Sequence, residues 1–92
     1  MTDDARLDGP NEAIDVAAAA LVIDARGTHC PVPIIRLAKR IGEIDVGAVA
    51  VVLSDDPASR HDVPAWCSMR GHDYVGESEV DGIPAYAVRR TT

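Results

Sequence analysis

Two prolines one residue apart, Pro31 and Pro33, stand at the head of an amphipathic run and fix where the first helix of this chain begins. Proline is pre-shaped for a helix's first turn, where its missing N–H would have had no partner anyway. Apolar residues then recur at helical spacing. Ile34, Leu37, Ala38, Ile41 and Ile44 share one face, while Arg36, Lys39, Arg40 and Glu43 fall mostly on the other. Immediately ahead lies Cys30. The pattern predicts a thiol at a helix start, where orphan backbone donors and the positive end of the macrodipole favour thiolate over thiol. Val32 keeps the one N–H among residues 31–33, and is expected to aim it at the sulfur.

The remaining elements follow from local signals. Leu21-Val22-Ile23 reads as a first strand, turning through Asp24 and Gly27 toward Cys30. Ala48 to Leu53 is a continuous apolar run, the mark of a strand covered on its faces. Strand, helix and strand with short links give a right-handed crossover between parallel strands. Asp55-Asp56-Pro57 is a second helix start, an acid at the cap and proline at the first position. That helix should run through Trp66 and Cys67 to Arg70 and stop at Gly71. Pro64 leaves its course open, since an interior proline kinks or restarts a helix, and Asp62 could serve as a second cap. Residues 72–80 alternate weakly, with Tyr74 and Val80 expected inward. Asp81-Gly82 is a hairpin turn leading to Ile83–Val88.

The order β-α-β-α-β-β, with both helices on one face, predicts an α/β (α+β) two-layer sandwich over a mixed four-stranded sheet. Residues 1–18, with Gly9-Pro10 and an Ala run, read as a flexible tail in which a short helix over Glu12–Ala19 would have little to pack on. Residues 19–92 form the single domain. One tryptophan, two tyrosines and no phenylalanine leave the core to aliphatic side chains.

A net charge of −6 argues against direct nucleic-acid binding. No uncharged stretch approaches the roughly 20 residues that a bilayer crossing needs, so no membrane partner is expected. The acidic start Met1-Thr2-Asp3-Asp4 is unlike a secretory signal, and a cytoplasmic location is expected. Cys30 and Cys67 match neither a zinc ligand set nor a Cys-x-x-Cys pair, and in that compartment they read as free thiols. No metal and no other cofactor is expected.

Asp24-x-x-Gly27-x-x-Cys30-Pro31-x-Pro33, followed by Gly47, Asp55-Asp56-Pro57-Ala58 and Asp62-Val63-Pro64, resembles the TusA/SirA-like sulfur-carrier family. Gly71-His72, Asp81-Gly82 and the terminal basic pair also fit, so the likeness runs from about Leu21 to Arg90. The resemblance implies that Cys30 accepts sulfane sulfur as a persulfide from a cysteine desulfurase or a rhodanese-like donor. It would relay that sulfur to a downstream acceptor serving tRNA thiolation, molybdenum cofactor or sulfur metabolism. The sequence departs from the family's usual pattern at Val32 between the prolines, often acidic, and at His29 and His61, often basic or arginine. Those side chains bear on partner choice.

Each candidate also has a plainer role. Cys30 as a buried small hydrophobe is the alternative to a carrier thiol. Gly27 supplies a turn and Asp24 braces or caps the loop. Asp56 reads as a helix cap before a catalytic acid, and is also a candidate partner contact. His29 would stabilise a Cys30 thiolate if the two side chains meet. Cys67, on a stripe with Val63 and Trp66, reads as core packing before it reads as a resolving thiol. Arg36, Lys39 and Arg40 are either a solvated helix face or a docking patch, and His61 is a further candidate partner contact. The rival functional reading is a redox-sensing or regulatory interaction module without transfer chemistry. A nucleic-acid-binding domain is suggested by fold analogy alone, to the C-terminal domain of a bacterial translation initiation factor. A monomer is the default for a carrier that docks with successive partners.

Overall fold

The computed structural model describes residues 18–92; the expected tail and its short helix fall almost wholly outside them. Strand β1 (Leu21–Asp24) leads through the cysteine loop into helix α1 (Val32–Arg40), which tightens into a 3-10 turn, Ile41–Glu43. Strand β2 (Val49–Leu53), helix α2 (Ser59–Arg70), strand β3 (Asp73–Val80) and strand β4 (Ile83–Arg89) complete the order expected from the sequence. The sheet runs β1-β2-β4-β3. β1 and β2 are parallel, and the other two pairings are antiparallel.

The main core lies between the helices and one face of this sheet. Leu37 and Ile41 from the first helical segment, and Val63, Trp66 and Cys67 from α2, pack with Ile23, Ala50, Val52, Tyr86 and Val88. Leu37, Val52, Val63 and Val88 are completely sealed. At roughly 1.5–3 kcal/mol for each fully buried aliphatic side chain, this layer is the main source of stability. The apolar stripe of α1 is as predicted, with Arg36, Lys39, Arg40 and Glu43 exposed. Val51, Leu53, Ala85 and Ala87 form a second apolar cluster. In a strand whose side chains alternate, Val51 and Leu53 point away from Ala50 and Val52.

Three local outcomes refine the sequence reading. Helix α2 passes through Pro64 without a break, because Val63, Trp66 and Cys67 on its inner face hold it against the sheet. Asp62 therefore lies inside the helix and is not a second cap. The register of β3 against β4 slips between Tyr74 and Gly76. An inserted residue reverses the alternation, so Tyr74 packs on the helix side and Val80 joins the second cluster. At the hairpin, Asp81 and Gly82 both have positive φ, 52° and 81°, which is the geometry that favours an Asp-Gly pair in a two-residue turn.

Candidate functional site

Cys30 is exposed, on the loop between β1 and α1. Two acids from the β2–α2 loop hold this loop in place. The Asp55 carboxylate accepts the Gly27 N–H at 3.1 Å, and Asp56 Oδ2 accepts the Cys30 N–H at 2.6 Å. Gly27 has φ 79°, a conformation that side-chain-bearing residues resist. Asp56 Oδ1 accepts the Ala58 N–H at 3.1 Å, so this one carboxylate caps the approach to α2 and ties down the cysteine backbone. Its pKa lies below the ordinary carboxylate value, first because of the Cys30 N–H and then because of the Ala58 N–H. The acidic loop is itself anchored from below. The buried hydroxyls of Ser54 and Ser59 meet at 2.7 Å, and Ser54 Oγ accepts the Asp56 N–H at 3.3 Å.

Local contacts fix the rest of the loop. Asp24 accepts from Arg26 through its backbone N–H, Nε and Nη2, and these bonds lower its pKa to about 2. Arg36 donates to the Asp24 carbonyl at 2.9 Å, clasping α1 to the end of β1. Pro31 precedes the first residue of α1 and Pro33 is buried in its first turn. Lys39 and His61 are exposed.

Two electrostatic expectations are overturned. The Val32 N–H donates to the His29 carbonyl at 2.8 Å and is closed into that turn, unavailable to the sulfur. The helix terminus also does not set the state of the thiol. The Cys30 pKa is raised, first by hydrogen bonding to the Asp62 carboxylate, then by desolvation and the negative charges of Asp62 and Asp56. Like charge beside a thiolate disfavours ionisation. His29 does not offset this. Its side chain is almost fully exposed and its Nδ1 lies 4.0 Å from Asp56.

Asp62 is the residue whose role at the thiol the sequence did not disclose. With Cys30 it borders a groove of about 290 Å³ whose walls are apolar, formed by Pro31 and Ile34 on one side and Ala65, Trp66 and Met69 on the other. Met69 is 73% exposed. Trp66, 4% exposed, is braced by His72 stacked at 5.3 Å. Cys67 is buried beneath the groove wall, and burial pushes its pKa up to about 11. Among the described residues no His, Cys, Asp and Glu side chains cluster so as to hold a metal ion, and no helix is long and apolar enough to cross a membrane.

Residues 21–90 match the family described as Sulfurtransferase TusA. The chain belongs to the TusA sulfurtransferase family. A sulfur carrier protein TusA from Pseudomonas entomophila is 37% identical over 68 residues, spanning 74% of this chain and 85% of its own. A putative sulfur carrier protein from Archaeoglobus fulgidus is 42% identical over 55 residues, spanning 60% of this chain and 75% of its own. Among solved structures, a SirA-like protein from Desulfitobacterium hafniense is similar with a TM-score of 0.67 and 30% identity. That similarity covers 78% of this chain and 99% of the other. The TusA match begins at the first residue of β1 and ends just beyond β4, so it takes in every element that builds the cysteine loop.

Proposed function

We propose that this chain is a sulfur carrier in which Cys30 holds sulfane sulfur as a persulfide. The supporting observation is an exposed thiol at the edge of an apolar groove, on a loop that carboxylates from a second loop hold in place. In loading, the Cys30 sulfur attacks the outer sulfur of a donor persulfide. A Cys30 S–S bond forms, the donor S–S bond breaks, and the donor leaves as a thiolate that takes up the proton Cys30 gave away. Discharge is the same exchange with an acceptor thiol attacking and Cys30 leaving. The sulfur changes owner with no net oxidation or reduction.

A groove of this size is shallow for a small substrate and suits a protruding loop of a partner protein. The donor is a cysteine desulfurase or rhodanese-like protein, and the acceptor a protein of a downstream relay such as tRNA thiolation. The carrier works as a monomer in the cytoplasm, docking with each in turn. The alternative, a redox sensor, fits the site less well. Sensor cysteines are exposed and of low pKa, whereas the carboxylates here hold Cys30 above its ordinary value.

Incubation with a cysteine desulfurase and cysteine tests the reading by intact mass. The chain should gain one sulfur, and a Cys30→Ser variant should gain none. A wild-type chain that stays unmodified while the desulfurase turns over counts against it.

A further inference from the structure

We infer that a partner brings a cationic side chain to the Asp56–Asp62 edge of the groove and so favours the Cys30 thiolate, with Asp62 as the positioning residue whose charge creates this dependence. The inference rests on the carrier reading of Cys30 and specifies the chemistry of what docks there.

Acidic groups approach the cysteine loop from two elements. From α2, Asp62 borders the groove beside Cys30 and is the one charged side chain in its lining. From the β2–α2 loop, Asp56 bonds the Cys30 backbone and Asp55 bonds Gly27. On α2, Arg60 is bound to Glu77 and Arg70 lies over the Trp66 ring at 5.9 Å; the arginines of the cysteine loop and α1 are engaged elsewhere. Arg26 is bound to Asp24, and Arg36 reaches the Asp24 carbonyl. His29 extends into solvent and faces Asp56. The described residues thus place carboxylates at the thiol and no bound cation, and the direction of its pKa agrees.

Both halves of the relay pass through a Cys30 thiolate, as attacking group in loading and as leaving group in discharge. A negative edge opposes both. A lysine or arginine arriving beside Asp62 and Asp56 would reverse the local field, since opposite charges within about 4–6 Å favour the ionised form. Apolar side chains of the same partner loop would fill the wall formed by Ile34, Trp66 and Met69. Sulfur transfer would then be confined to the docked complex, and the free carrier would be protected from casual alkylation and oxidation.

The test is the pH profile of Cys30 alkylation by iodoacetamide in the free protein, read on the Cys30 peptide, for wild type, Asp62→Asn and Asp62→Glu. Removing one neighbouring charge should raise the rate at pH 7 by about three- to fivefold, because more thiolate outweighs its lower nucleophilicity. Asp62→Glu should restore the wild-type profile. Two small disulfides supply a second arm that needs no variant, the dication cystamine and the neutral bis(2-hydroxyethyl) disulfide. Relative to a neutral model thiol, wild type should favour cystamine several-fold at low ionic strength and lose that preference toward 1 M salt, where the Debye length falls to about 3 Å. Superimposable profiles for wild type and Asp62→Asn, or no preference for the cationic disulfide, would overturn the inference. Neither arm uses a sulfur donor, so failure here is distinct from failure of Cys30 to load sulfur.

Discussion

The backbone N–H of Cys30 donates to Asp56 Oδ2 at 2.6 Å, across 26 positions of sequence. The same carboxylate receives the Ala58 N–H ahead of α2, so the start of one helix and the position of the thiol are set by a single side chain. Asp56→Ala would release both N–H groups. Loss of a capping side chain together with a loop tether should lower Tm by on the order of 5 °C in a domain of this size. It should also slow sulfur loading, because the thiol is no longer held in one place. Acidification gives a second check. The folded pKa of Asp56 lies below its ordinary 3.8, so its contribution is present above pH 3.8 and fades as pH falls below it. The acid limb of a Tm-against-pH curve should be shallower in Asp56→Ala than in wild type.

Cys67 is sealed between α2 and the sheet, with its pKa pushed to about 11. It should resist alkylation in the native state at neutral pH and react once the chain is denatured. Cys67→Ala should leave sulfur loading unchanged and cost about 1 kcal/mol of stability for the small cavity it opens. Chemical denaturation and the loading assay, run on the same sample, check both halves.

His72 links the end of α2 to the segment that follows β4. Its Nδ1 accepts the Thr91 N–H at 3.2 Å, which requires the neutral ring. Desolvation, then the charges of Arg90 and Arg70, lower its pKa from the ordinary 6.5. The folded state therefore binds this proton less readily than the unfolded chain does. Stability from this group is present above pH 6.5 and is lost as pH falls below it. Tm should decline between pH 7 and pH 5 in wild type, and less steeply in His72→Gln.

The parts of the fold that were legible in the sequence are those whose causes are local. Pro31 and Pro33 mark the start of α1, the apolar stripe gives its face, and Asp81-Gly82 has its turn chemistry in two residues. Pro64 was ambiguous because propensity alone breaks a helix there, while packing of Val63 and Trp66 carries the chain through. The slip between Tyr74 and Gly76 depends on how β4 pairs with β3, and nothing in residues 72–80 announces it. An exposed thiol ahead of a helix was legible at Cys30, and the electrostatics around it were not. A cysteine before a helix implies an acidified thiol only if the turn leaves an N–H free and no acid arrives from elsewhere. Here the Val32 N–H is spent on His29, and Asp62 borders the cysteine's groove from a helix 32 positions on, where tertiary packing puts it.

The atom that holds the transferred sulfur decides the carrier role. Loading from a cysteine desulfurase supplied with sulfur-labelled cysteine, followed by peptide mass mapping, reads this directly. One labelled sulfur should sit on the Cys30 peptide, leave when an acceptor thiol is added, and return the chain to its starting mass. Label confined to the Cys67 peptide, or oxygen on Cys30 in place of sulfur, would contradict the carrier role.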